Sequence, residues 1–320
     1  MLEPMKKILT AVFCLICFGS FAQQEVLTSN FMMNKLFYNP GFVVEEKSPV
    51  LVAQVRSQWL GVDGAPNLQK ASFSMPFLNN RVGGGLTISN FTAGITSEQT
   101  VSAIYGYRLR FGRGSSMLMG MNVDLNSYGV DYSDERLKFI HNIEDDPSII
   151  NGFQGKFLFN VGLGAYFSSE KFYMGFSIPG MIEENIEFVP EENGQSIGVR
   201  HFYFMGGGDI ELNKGNVLQP NLLIRYVSES YLNLEFNLMY NIEDKLYLGA
   251  TYRNGGISFG VFESASVIIG THLSPKTLLA FSYDITLSSI STYSAGSFEV
   301  MIKYRALKKG SKRIGNPRYM

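Results

Sequence analysis

Residues 230–242, SYLNLEFNLMYNI, set Leu232, Leu234, Phe236, Leu238 and Tyr240 on one side of an extended chain and Asn233, Glu235, Asn237 and Asn241 on the other. Successive side chains of a strand point to opposite faces, so this period of two predicts a β-strand with one apolar and one polar face. The same pattern returns repeatedly. In 217–226, Leu218, Leu222, Ile224 and Tyr226 alternate with Gln219, Asn221 and Arg225; in 157–167, Phe157, Phe159, Val161, Leu163, Ala165 and Phe167 share a face; in 297–304, Phe298, Val300, Ile302 and Tyr304 oppose Glu299 and Lys303. The candidate strands are 50–59, 69–76, 83–91, 97–111, 116–128, 155–168, 170–178, 199–212, 216–227, 230–241, 245–253, 257–273, 277–286 and 296–305, about fourteen, with the 257–273 run long enough for two. Strands of a soluble sandwich average about 5–6 residues. Recurring runs of about 10 residues, aromatic at their ends and polar on the second face, fit an antiparallel transmembrane β-barrel.

The connections alternate too. One set is short: LNNR, GRGS, SSEK, NKGN, IEDK and SPK. The other holds the long loops, 129–154 and 179–198 among them. Outer-membrane barrels have short periplasmic turns and longer outer loops, and an even strand number leaves both termini in the periplasm. The short set carries Arg81, Arg113, Lys171, Lys214, Lys245 and Lys276, while the long loops carry Glu144-Asp145-Asp146 and the stretch EENGQ at 191–195.

Composition agrees with this solvent. Charged residues are 17% of the 320, against 25 Phe, 17 Tyr and 33 Gly, and the net charge of -1 gives no argument for a nucleic-acid partner. At the start, Lys6 and Lys7 precede the apolar run ILTAVFCLICFGSFA, a secretory signal peptide expected to be removed after Ala22, with Met5 the expected true start. Both cysteines, Cys14 and Cys17, fall within it, and Phe13 and Ile16 stand where a lipoprotein signal needs a small residue. The exported chain therefore holds no disulfide and no thiolate metal site. The expected organisation is a signal peptide at 1–22, an N-terminal periplasmic segment at 23–49, the barrel at 50–305 and a basic periplasmic tail at 306–320.

Candidate chemistry is sparse. GISFG at 256–260 matches a nucleophile elbow in letters, but that motif needs a strand, a sharp turn and a helix, and here it lies within an alternating run. His141, His201 and His272 have no ligand spacing among them. Asp131, Asp134 and the 144–146 acids lack the spacing of a dedicated calcium loop and read as a solvated loop. No cofactor, metal or catalysis is expected. The faces turned to the lumen carry Arg56, Arg108, Arg110, Asp124, Lys156, Arg225, Glu235, Asp284, Glu299 and Lys303, both signs together. A barrel this wide is not filled by wall side chains alone, so either loops fold in or water remains.

FYNPGFVVEE at 37–46, RSQWLGVDGAPNLQ at 56–69, Tyr283-Asp284, and GSFEVMIKY at 296–304 together resemble, in order and spacing, the PorP/SprF family of outer-membrane proteins. Phe298 stands where the family pattern has His. The resemblance implies a part in type IX secretion: assisting export or surface attachment of a cargo protein with a C-terminal sorting domain, of the gliding-adhesin type, with no active-site residues to carry over. It implies as partners that cargo, outer-membrane lipid, and a periplasmic protein of the secretion machinery or one associated with peptidoglycan. The competing class is a porin or hydrophobic-solute channel, and a lipase is a distant third. Trp59, the one Trp, then sits at an outer interface that favours an amphipathic indole, and Gly61, Gly64 and Pro66 bend the chain beside it. Candidate partner-binding residues are Trp59, Gly61 and Asp63 at that bend and Lys308, Lys309, Lys312 and Arg313 in the tail, which holds no acid after Arg305.

Overall fold

In the computed structural model the alternating strands close on themselves. The structure describes residues 28–112, 114–137, 152–185, 197–198, 200–213, 215–227, 232–254 and 262–306. Fourteen antiparallel strands form one barrel. They are β1 (Val50–Ser57), β2 (Asn67–Phe77), β3 (Val82–Ala93), β4 (Thr96–Phe111), β5 (Ser115–Asp131), β6 (Phe153–Ser168), β7 (Phe172–Ile178), β8 (His201–Gly208, resuming as Ile210–Asn213 past Asp209), β9 (Asn216–Val227), β10 (Asn233–Ile242), β11 (Leu246–Asn254), β12 (Phe262–Ser274), β13 (Thr277–Thr286) and β14 (Ser297–Arg305). Each pairs with its neighbours in sequence, and β1 closes the ring against β14, from Val50 opposite Arg305 to Ser57 opposite Phe298. Closure leaves no free sheet edge, the condition for strands to cross lipid.

The faces fall as the alternation requires. On β10, Leu232 just ahead of the strand and Phe236 and Leu238 within it are exposed on the outside, while Glu235, Asn237 and Asn241 are wholly buried within the barrel. Phe157, Phe159 and Leu163 of β6 likewise point outward. A charge on the outer face at the bilayer midplane costs about 2–4 kcal/mol. Phe236→Arg should therefore lower the urea midpoint of the refolded barrel and deplete its heat-modifiable folded band; an unchanged midpoint would mean that Phe236 does not meet lipid.

One expectation fails. Residues 28–46, placed ahead of the barrel in the periplasm by sequence, lie inside it. Phe31, Val43, Val44, Ser29, Asn30 and Asn39 have no exposed surface, and Leu36, Tyr38, Phe42, Glu45 and Glu46 are buried. This strap is a chain of 3₁₀ turns, Phe31–Met33, Lys35–Phe37 and Pro40–Val44. Its apolar side chains make a core with the inner wall: Phe31, Leu36, Phe42, Val43 and Val44 pack with Ile104, Leu118, Tyr166, Tyr173, Tyr203, Met205 and Leu223. The physical reason for the correction is burial. A run with six or more large apolar side chains is not stable in water, and the lumen of a barrel this wide leaves space for it.

The strap enters beside Arg56, Arg253 and Glu299, at the barrel mouth where the long connections lie, and leaves beside Lys303 and Arg305, at the mouth of the short turns. At the long-connection mouth the segment after β7 also folds inward: Asn122 Nδ2 donates to Pro179 O, and Asn160 exchanges bonds with the backbone of Ile182.

Candidate functional site

The seat of the strap is a row of missing side chains. Gly83 of β3, Gly106 of β4, Gly120 of β5 and Gly164 of β6 lie directly opposite one another across four adjoining strands. A Cβ at Gly120 would stand 2.3 Å from the carbonyl carbon and oxygen of Pro40; at Gly106, 2.5 Å from Val43 Cγ1; at Gly164, 2.3 Å from Asn39 Oδ1; at Gly83, 2.8 Å from Val43 O. No real Cβ approaches so closely, so only glycine at these positions lets the strap backbone lie on the wall.

The Asn-Pro-Gly of the strap answers that seat. Asn39 Nδ2 donates to Ala165 O and Phe176 O (3.0 and 3.2 Å), carbonyls of β6 and β7, while its Oδ1 accepts from Gly41 N at 2.8 Å. Pro40 starts the last 3₁₀ turn, where a fixed φ is suitable and its missing N–H costs nothing. Phe42 then meets Tyr166 edge to face, centroids 5.5 Å apart. Lys35 lays its ammonium 3.6 Å over the Tyr173 ring, beside a recess at the short-turn mouth that Met32, Met33, Asp209 and Tyr247 also line.

Buried charged wall residues fasten both ends. At the exit, Arg108 donates to the backbone oxygens of Val44 and Glu45 and pairs with the Glu45 carboxylate at 3.2 Å, which also accepts from Ser168 Oγ at 2.7 Å. Glu46 takes Lys303 and Arg305, each at 2.9 Å. At the entrance is a larger latch. Glu299 accepts from Ser29 N (2.9 Å), Asn30 N (3.2 Å), Asn30 Nδ2 (2.7 Å) and Gln54 Nε2 (2.6 Å). Asp284 accepts from Ser29 Oγ at 2.6 Å and pairs with Arg56 Nη2 at 2.6 Å. Arg253 donates to Thr28 O at 3.1 Å and to Glu235 at 3.1 Å, and Glu235 also faces Arg225 at 3.5 Å. Three arginines thus meet three carboxylates, all nearly or wholly buried. Burial of that many charges is tolerable only because each is paired. The arrangement binds chain; its carboxylates are occupied by arginines and by strap amides and hydroxyls.

The expected site residues divide. Trp59, Gly61 and Asp63 lie together on the loop between β1 and β2, Gly61 and Asp63 exposed and Trp59 half-buried. Trp59 adopts a left-handed backbone (φ 51), and its N–H donates to Ser297 Oγ at 3.1 Å. Leu60 and Ala295–Gly296 exchange two backbone bonds of 2.8 Å, extending the β1–β14 seam beyond the strands. Arg136 joins this rim, bonding Gly94 O at 2.8 Å and Asp134 at 2.5 Å; the guanidinium holds the Asp134 carboxyl down at about 2. Asp131 is used locally, accepting from Ser133 N and Oγ. Lys308, Lys309, Lys312 and Arg313, His141, the acids 144–146 and GISFG lie outside the described residues.

Of the expected lumen charges, Arg56, Arg108, Asp124, Arg225, Glu235, Asp284, Glu299 and Lys303 are buried inside, Lys156 is half-buried, and Arg110 is exposed at the short-turn rim, bonding Asn79 O. Sequence reasoning missed Ser29, Asn30, Glu45, Glu46, Arg253 and the glycine row. The available signal was glycine recurring at inward positions of consecutive strands, where a polar side chain is otherwise found.

The family profile described as type IX secretion system membrane protein PorP/SprF matches residues 20–304. No curated protein matches the chain. Among solved structures, the CymD monoaromatic hydrocarbon channel aligns over 91% of this chain and 96% of its own at 9% identity, TM-score 0.50. The Ralstonia pickettii toluene transporter TbuX aligns over 87% and 93%, also at 9% identity and TM-score 0.50. At that identity the likeness is one of fold. A closed barrel with outer-membrane barrel neighbours and this profile places the chain in the outer membrane, crossing it many times.

Proposed function

The chain belongs to the PorP/SprF family of type IX secretion system membrane proteins, and from that premise we propose that it assists the export or surface attachment of a cargo protein bearing a C-terminal sorting domain, of the gliding-adhesin kind. It works as a binding and anchoring component without catalysis. The observation that carries this reading over an open diffusion pore is the strap: a covalent part of the chain occupies the lumen, fastened at one mouth by hydrogen bonds to buried charged wall residues and at the other by buried ion pairs. Such an occupant fills space that an open diffusion pore leaves to water. The rim at Trp59, Gly61 and Asp63 offers the cargo a surface whose backbone is tied to the barrel seam. The basic tail with Lys308, Lys309, Lys312 and Arg313 offers a salt-sensitive contact to an acidic periplasmic partner of the machinery or of the cell wall.

Affinity capture of the tagged full-length protein from native outer membrane, read by mass spectrometry, tests this. The expected result is a large secreted protein with a C-terminal sorting domain, together with machinery components, and little conductance from the purified protein in planar bilayers. Steady pore conductance with no cargo recovered would return the channel reading.

A further inference from the structure

The closed ring has no free edge where it crosses lipid, but above that level β6 outruns its neighbour. Its whole length, from Phe153 opposite Asp131 to Ser168 opposite Ser116, is laddered to β5. Its other side meets β7 only from Leu163 to Ser168. Past Ile178 the chain leaves that side and turns into the lumen. Pro179 O accepts from Asn122 Nδ2 at 3.0 Å, and Asn160 holds the backbone of Ile182 at 2.9 and 3.0 Å. Gly162 makes room for the turn, since a Cβ there would stand 2.1 Å from Pro179 O. One backbone bond remains on the departing side, from Met181 N to Val161 O at 2.8 Å. Among the described residues nothing pairs with 153–159 on that side.

Backbone direction alternates along a strand. Val161 O points to the departing side, so the N–H and C=O groups of Phe159, Phe157, Gly155 and Phe153 point there too. The same stretch turns three aromatic rings outward: Phe153, Phe157 and Phe159 are 65%, 84% and 51% exposed, and Phe157 is the most exposed large apolar side chain among the described residues. In register, Phe159 lies beside Leu125 and Val101, whereas Phe157 lies beside Ser127 and Gln99. The outward face thus changes from apolar to polar between these two rows. Unpaired backbone is not tolerated in hydrocarbon. The change of neighbours sets the free stretch at the upper limit of the apolar band and above it, at the long-connection mouth. Its inner face is polar, with Gln154 and Lys156 half-buried and Asn160 buried.

An open edge is a template for a further strand. We infer that this edge receives an extended segment of the exported protein, added antiparallel to β6 in line with β7. The inference rests on the export reading above and gives that contact its place and its mode. The site is continuous with the β6–β7 ladder, which the incoming segment extends outward from Val161. Main-chain bonds to Phe159, Phe157, Gly155 and Phe153 supply affinity. Side chains supply selection: apolar on the face shared with Phe157 and Phe159, polar or acidic on the face beside Lys156.

Residue-resolved amide exchange on the full-length barrel in detergent tests this. The probe is a capped peptide of about ten residues, the length of a barrel strand, alternating valine with glutamate and threonine. The same peptide N-methylated along its backbone is the control. In the barrel alone, the amides of Phe157 and Phe159 should exchange as in open chain, while that of Leu158, which faces β5 opposite Asn126, is protected. Millimolar probe should slow Phe157 and Phe159 by about tenfold or more, and the control should not. Phe157→Pro removes an N–H that the wall does not use, so the barrel should keep its urea midpoint while the probe no longer protects Phe159. Slow exchange of Phe157 and Phe159 in the barrel alone, or early unfolding of Phe157→Pro, means that the edge is already paired and overturns the proposal. A probe that protects neither amide overturns it as well. Capture of an exported protein alongside any of these results leaves the export reading standing and removes the edge alone.

Discussion

Glu299→Ala should be among the most damaging single truncations in the lumen, costing about 3–5 kcal/mol, the range for removing one partner of a buried ion pair. The side chain is wholly buried and accepts from two strap amides, from Asn30 Nδ2 and from Gln54, and it pairs with Arg56 Nη1 at 3.4 Å. Alanine leaves those donors without an acceptor where water does not replace it, and each unmet group carries about 1–3 kcal/mol of desolvation penalty. Some of that sum is recovered as the strap entrance loosens, which is why the ion-pair range is the better figure. Glu299→Gln keeps shape and part of the hydrogen bonding and should cost less. Glu243→Ala supplies the contrast: its pair with Lys245, 2.9 Å long, is well exposed on both sides and should change nothing measurable. Urea unfolding in lipid, with unchanged denaturant slope, reads all three. If Glu299→Ala unfolds at the midpoint of Glu243→Ala, the latch does not hold the strap.

The barrel was legible in sequence because its wall has two solvents. Lipid outside and a polar lumen inside force a period of two, and on β10 each of Leu234, Glu235, Phe236 and Asn237 is assigned by that period alone. Arg56, Asp284 and Glu299 were visible as members of separate short motifs far apart in the chain. What sequence did not show is that β1, β13 and β14 bring them to one point, around Ser29. The strap was misplaced for a different reason. It has no period, because its 3₁₀ turns present apolar groups all round within an enclosing wall, and its Asn, Pro and Gly read as an irregular lead-in. Glu45 and Glu46 read as solvated acids because their partners, Arg108, Lys303 and Arg305, lie at least 63 positions away. Arg253 escaped notice at the very end of an alternating run. The glycine row is a seat made by absence, and glycine in a strand usually signals weak packing or a bulge.

That seat gives the second large effect. Gly120→Val should expel the strap from the wall. The added Cβ would lie 2.3 Å from the Pro40 carbonyl and 2.5 Å from Gly41 N, backbone atoms that no rotamer change can move aside. Gly106 and Gly164 flank it on both sides in the same row, so the strap cannot shift sideways without leaving the seat. Overpacking by itself costs about 1–3 kcal/mol. Lifting residues 39–44 adds the lost burial of Phe42, Val43 and Val44, about 1.5–3 kcal/mol apiece. The total exceeds what a marginally stable domain spares, and two outcomes are open to the molecule. Either the folded band is lost, or the wall persists with its strap displaced. In the second case a fourteen-stranded barrel without its occupant has room for water. Planar-bilayer conductance should then rise above the wild-type level, and trypsin should cut at Lys35, which is buried against Tyr173 in the native chain. Gly120→Ala brings the same clash with fewer atoms and should fall between wild type and Gly120→Val. Gly112→Val is the matched control, since a Cβ there meets nothing within 4 Å. A Gly120→Val protein with wild-type stability, wild-type conductance and protected Lys35 would place the strap somewhere other than on the glycine row.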